Sequence, residues 1–82
     1  MAWVYILKSL DFPKTYTGIT EDLDRRLAEH NSGKHVYTKR HLPWNMVYSE
    51  QVVDMRSARL REKYLKSAAG RRYIQRQNII PR

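Results

Sequence analysis

Two phenols stand near the start of the chain, Tyr5 in Trp3-Val4-Tyr5-Ile6-Leu7 and Tyr16 in Thr15-Tyr16-Thr17-Gly18-Ile19. An arginine pair follows, Arg25 and Arg26, and much later a glutamate, Glu62, within an apolar helical stripe. Two phenols, a guanidinium and a carboxylate suffice to break a phosphodiester with a metal ion. A phenol can pass protons, a guanidinium fork fits a phosphate, and a carboxylate holds a hard cation.

Glu62 draws notice through its position. Met55, Ala58, Leu65 and Ala69 fall within one narrow arc of a helix, the natural core-facing stripe, and Glu62 lies near its middle. An inward carboxylate must be paired, protonated or metal-bound, because burying it alone costs several kcal/mol, on the order of the penalty for any unpaired buried ion. An ion pair with Arg26 across the interface is one fate; metal binding is another. Periodicity alone leaves the choice open.

The elements that must position these groups are short. Residues 3–9 and 15–19 read as strands, close enough for an antiparallel hairpin whose turn is marked by Asp11 and Pro13. Gly18 weakens the second strand, so it marks a bulge or a place where something comes close to the backbone. Thr20 is expected to cap a helix running to about Asn31 and stopped by Gly33. Leu23, Leu27 and His30 share one face of it, with Arg26 one turn before His30. Gly33 to Pro43 is a basic loop. Trp44 to Val53 reads as a third strand with Trp44, Met46 and Tyr48 on one side. Asp54 or Ser57 caps a helix over residues 55–67, Ala68-Ala69-Gly70 interrupts it, and a short helix covers 71–77. The order β-β-α-β-α-α specifies one α+β domain over residues 1–82, a small three-stranded antiparallel sheet flanked by helices.

The 82 residues suffice for one domain with a small core. Cysteine is absent, which excludes disulfides and thiolate metal sites. Sixteen Lys and Arg against eight Asp and Glu give a formal net charge of +8. The excess is concentrated in Lys34 to His41 and from Arg56 onward, where Glu62 is the single acid. Such a field favours nucleic acid through counterion release. No apolar run approaches the ~20 residues of a membrane span. The start carries no basic leader and long apolar run, so the expected location is cytoplasmic.

In order and spacing, four segments resemble the GIY-YIG nuclease family: Trp3-Val4-Tyr5, Tyr16-Thr17-Gly18, the run Asp22 to Asn31 with Arg26 and His30, and the run Ala58 to Lys66 with Glu62. The likeness spans residues 3 to about 72, and is greatest with small stand-alone bacterial members. Trp3 replaces the family's first Gly and Thr17 its Ile, while both tyrosines and Gly18 remain. The family's late asparagine has no matching surroundings at Asn78, so no role passes to that residue.

The resemblance implies a metal-dependent endonuclease acting on DNA, structure-directed and serving repair or recombination. It implies that Glu62 binds one Mg²⁺ or Mn²⁺ and that Arg26 stabilises charge on the phosphate. Tyr16 would accept a proton from the attacking water, and Tyr5 would orient that water or assist. His30 either orients Arg26 or relays a proton, or is a half-buried helix residue. Gly18 would admit the phosphate or a neighbouring side chain, while Lys34, Lys39 and Arg40 hold the substrate backbone. A non-catalytic nucleic-acid-binding module is the competing reading. A third makes the chain a subunit whose tail, Ile79-Ile80, docks on a partner or a second copy.

Overall fold

The computed structural model of the protein describes residues 1–79. Three strands form one antiparallel sheet in the order β2-β1-β3: β1 is Ala2–Ser9, β2 is Thr15–Thr20 and β3 is Trp44–Val52. Helix α1 is Leu23–Asn31, α2 is Met55–Lys66 and α3 is Ala68–Arg76. The expected order of elements, β-β-α-β-α-α, is the order found.

β1 reads as a continuous apolar run because it is the central strand and is covered on both faces. Ala2 and Val4 point one way, to Ala58 and Leu65 of α2, with Tyr73 and Ile74 of α3 packed alongside. Tyr5 and Leu7 point the other way, to Trp44, with Leu23 and Leu27 of α1 packed alongside. The sheet thus separates α1 from α2 and α3, each burying its apolar stripe on its own side.

Several boundaries differ from the sequence reading. Asp22, not Thr20, caps α1: its carboxylate accepts the Arg25 N–H at 3.1 Å, while Thr20 is the last residue of β2. Asp54 rather than Ser57 caps α2. Ala68-Ala69-Gly70 does not interrupt a helix; it is the first turn of α3, capped by the Ser67 hydroxyl accepting from the Gly70 N–H. Ala69 consequently faces solvent and Gly70 is buried against the backbone of Tyr64 and Leu65.

Tyr48 leaves the face shared by Trp44 and Met46. Leu7 pairs with Met46 but Ile6 pairs with Tyr48, so Val47 is an extra residue in β3 and the alternation reverses there. Tyr48 therefore reaches the α2 side, where its hydroxyl donates to Glu50. Arg61 of α2 also binds Glu50, at 2.9 Å, and its guanidinium lies 5.1 Å from the rings of both Tyr64 and Tyr73. This clamp ties β3, α2 and α3 together and fixes the helix that carries Glu62.

Candidate active site

Tyr5 is fully buried at the middle of the central strand. Its cross-strand partner is Gly18, and a Cβ built on Gly18 would lie 2.5 Å from the Tyr5 hydroxyl oxygen. The space left by the missing side chain is therefore taken by a neighbouring phenol, and Gly18 itself is buried.

The Tyr5 hydroxyl joins two groups of α1. Arg26 Nε donates to it at 3.4 Å, and it lies 2.8 Å from Nε2 of His30. His30 Nδ1 lies 2.8 Å from the hydroxyl of Thr38. Burial pushes the Tyr5 phenol up to about 12, partly offset by the Arg26 hydrogen bond. Burial likewise pushes the His30 imidazolium down to about 4, helped by the nearby Arg26 guanidinium and His35 imidazole. Both rings are neutral at pH 7, and among the described residues Nε2 of His30 is the acceptor within reach of the buried Tyr5 O–H, which assigns the direction of each bond. Arg26 N–H donates to Tyr5, the Tyr5 O–H donates to His30 Nε2, and His30 Nδ1–H donates to Thr38.

Tyr16 stands beside this line. Its ring centroid is 6.4 Å from that of Tyr5 and 4.9 Å from that of His30. Unlike Tyr5 it is half-buried, and it lines a cavity of about 620 Å³ with Thr15, Thr17, Tyr37, Lys66 and Arg71. Its hydroxyl lies 3.4 Å from Nε2 of His35.

Arg26 does not pair with Glu62. Its Nη1 reaches Glu29 at 3.3 Å, within α1. Glu62 comes from the helical layer across the sheet, on a helix packed against β2 and β1, and its carboxylate meets Lys66 at 3.4 Å. The Glu62 charge is nonetheless among those that raise the Tyr5 phenol, so the acid lies within electrostatic reach of the buried hydroxyl. The Glu62 side chain is only 24% exposed, and Lys66 is 55% exposed.

Lys34, Lys39 and Arg40 are exposed on a loop that is itself pinned. The Trp44 indole N–H donates to Thr38 O at 2.8 Å, and the Ser9 hydroxyl donates to His41 O at 2.7 Å. Asn31 holds the start of β3 by accepting from Trp44 N at 2.7 Å and donating to Trp44 O at 3.1 Å. Thr38, Asn31 and His35 were not singled out from sequence. The first two offered a signal in hindsight, since a Thr and an Asn beside a helix end are natural partners for orphan backbone and imidazole groups. Ile79 is half-buried, with its N–H donating to Ile74 O at 3.2 Å, whereas Ile80 lies outside the described residues. Among the described residues, no helix is long and apolar enough to cross a membrane.

The family model described as the GIY-YIG catalytic domain matches residues 1–78. A UPF0213 protein of Clostridium perfringens is 38% identical over 76 residues, covering 92% of this chain and 81% of that one. A UPF0213 protein of Syntrophus aciditrophicus is 41% identical over 76 residues, covering 89% and 85%. Streptococcus pyogenes relatives of the same designation are 48% identical over 59 residues, a match spanning 61% of their length. The solution NMR structure of a UPF0213 protein from Bacillus halodurans superposes with a TM-score of 0.56 at 32% identity, covering 99% of this chain and 89% of that one.

Proposed function

The chain belongs to the GIY-YIG catalytic domain family, and from that premise we propose that it is an endonuclease hydrolysing phosphodiester bonds in DNA with a divalent cation, Mg²⁺ or Mn²⁺. The observation that carries this reading is the line Arg26–Tyr5–His30 set beside the cavity-lining Tyr16 and within reach of the Glu62 charge. A module that only bound nucleic acid would need exposed cations. It would not need a guanidinium held on a buried phenol.

Glu62 is the residue that would hold the cation. Among the described residues no group of three or more His, Cys, Asp or Glu could enclose a metal. One carboxylate, with water and a substrate phosphate completing the shell, is a common way to hold Mg²⁺. A bound cation would supply Lewis-acid stabilisation of the phosphate. The Lys66 ion pair is half-exposed and of the class worth about 0–1 kcal/mol, so it yields readily.

The chain's own residues divide the remaining work. Tyr5 is protonated and closed off, so it positions Arg26 and does not accept a proton. Arg26 presents its guanidinium to the non-bridging oxygens, where charge grows in the transition state. Tyr16, at the cavity wall, takes the proton of the attacking water. Lys34, Lys39 and Arg40 hold the backbone and carry no base information. The reading extends to structure-directed cleavage of flaps, branches or single-stranded ends, in DNA repair or recombination.

The test is incubation of wild type and Glu62→Gln with labelled duplex, flap, branched and single-stranded DNA, with Mg²⁺ or EDTA. Cleavage by wild type with Mg²⁺ alone is the expected result. Undiminished cleavage by Glu62→Gln, or cleavage in EDTA, rejects the mechanism.

A further inference from the structure

The site holds two phenol–imidazole pairs that differ in one respect. In the first, Tyr5–His30, every polar atom is used: the phenol has Arg26 and His30, and the imidazole has Tyr5 and Thr38. In the second, Tyr16–His35, the Tyr16 hydroxyl faces Nε2 of His35 at 3.4 Å, while Nδ1 of His35 is buried with no hydrogen-bond partner among the described residues. Most buried polar atoms are paired, as both nitrogens of His30 are; Nδ1 of His41 is also unpaired among the described residues, but that ring packs on Phe12 and Trp44. His35 has a single polar contact, and it is the phenol at the cavity wall. The rings meet edge to face, with centroids 5.3 Å apart and planes at 69°.

We propose that His35 is a positioning and proton-accepting residue that acts through Tyr16. The proposal rests on the nuclease reading above and adds a residue to it. A phenol holds its own proton at neutral pH, so it can take a second one from water only if the first has somewhere to go. As the water oxygen bonds to phosphorus, the water proton moves to the Tyr16 oxygen and the Tyr16 proton moves to His35 Nε2. The phosphorus–oxygen bond to the leaving group breaks, and that oxygen takes a proton from solvent. The resulting imidazolium returns its proton to solvent and the phenol is restored. The step needs a free lone pair on His35 Nε2 to receive the phenol's proton. The other titratable groups facing the pair are Tyr5 on β1, Tyr37 on the loop, His30 of α1 with Arg26 and Glu29 behind it, and Lys66 of α2 and Arg71 of α3 across the cavity.

The experiment compares cleavage by wild type, His35→Gln and His35→Ala, with and without added imidazole. The expected results are a kcat loss of ten-fold or more for both variants, KM within about two-fold, and partial recovery of His35→Ala by imidazole. Wild-type kcat in either variant, or a lost rate that imidazole leaves unrestored while the melting temperature is kept, overturns the proposal. Such results leave wild-type cleavage and its Glu62 dependence standing. A wild type that cleaves nothing overturns the nuclease reading and this one together.

Discussion

Tyr5 and His30 share a 2.8 Å hydrogen bond in a region closed to solvent, both side chains being fully buried. The burial of His30 makes folding sensitive to acid. His30 is pushed down to about 4 from an ordinary value of 6.5, so the folded chain binds fewer protons than the unfolded chain between those values. Stability is therefore intact above about pH 6.5, falls as pH drops towards 4, and loses on the order of 3 kcal/mol in all. For a domain of this size the melting temperature should fall by more than about 10 °C between pH 7 and pH 4. Thermal melts of wild type and His30→Gln measure it. The variant starts lower and has the flatter slope; equal slopes would show that His30 is not the sensor. On the alkaline side Tyr5 and Tyr48 are both raised to about 12, so their contributions persist to about pH 10 and fade as pH climbs through 12.

Two glycines separate the site from the scaffold. A Cβ at Gly18 would meet the Tyr5 hydroxyl at 2.5 Å and its Cζ at 2.7 Å. Tyr5 is locked in the core and cannot swing away, so Gly18→Ala must push the hydroxyl off Arg26 and His30. The expected cost is about 1–3 kcal/mol of stability together with most of the cleavage rate. At Gly70 the added carbon would strike backbone, the Tyr64 carbonyl oxygen and Leu65 Cα. Gly70→Ala should destabilise more, by separating α3 from α2, while any molecules still folded cleave normally. Denaturant melts paired with rates per folded molecule distinguish the two.

Arg26 tests whether geometry or charge matters at the phosphate. Its Nε is bound to Tyr5 and its Nη1 to Glu29, which aims the fork. Arg26→Lys keeps the charge but cannot reproduce that double attachment. Arg26→Ala should lower the cleavage rate by about 10²-fold or more, and Arg26→Lys by at least about ten-fold, with DNA affinity changed far less. Single-turnover rates and filter-binding isotherms measure the two quantities. Parallel losses in both would assign Arg26 to binding alone.

Much of this arrangement was legible in the sequence, and what was not has physical causes. The hairpin followed from two short strand-like runs around the Asp11–Pro13 turn, and the α1 face of Leu23, Leu27 and His30 from helical spacing, which burial enforces. Tyr48 was misplaced because a one-residue bulge reverses strand alternation without leaving a composition signal. The α2–α3 junction was misplaced because Gly70 reads as a helix breaker. Here it is a helix residue chosen for close backbone contact. The pairing of Arg26 with Glu29 and of Glu62 with Lys66 depends on side-chain reach among several candidates, which spacing along a helix does not decide. His35 was unreadable because its loop has no periodicity, so its meeting with Tyr16 exists only in three dimensions.

Glu62→Gln keeps the shape of the side chain and removes the charge that would hold a cation. Cleavage should fall about 10²-fold or more, and the melting temperature should change by only a few degrees, because the Lys66 pair it loses is half-exposed. Lys66→Met tests the competition directly. It frees Glu62 from its neighbour, so half-maximal cleavage should need less Mg²⁺ than in wild type. Metal titrations of both variants measure this, and a Lys66→Met chain that needs more Mg²⁺ would count against Glu62 as the ligand.

The exposed cations of the pinned loop should act on affinity and leave the chemistry alone. Lys34, Lys39 and Arg40 project from a segment held by Thr38, Trp44 and Ser9, so removing their charges leaves the backbone where it is. Each phosphate contact releases counterions and steepens the fall of log K with log salt by about 0.7–0.9. Replacing all three by Gln should therefore make that slope shallower by about 2, and weaken binding to a similar extent on every DNA sequence. The rate at saturating substrate should stay near wild type. Fluorescence anisotropy across a salt series checks the slope. An unchanged slope would move the DNA path off this loop and onto the basic faces of α2 and α3.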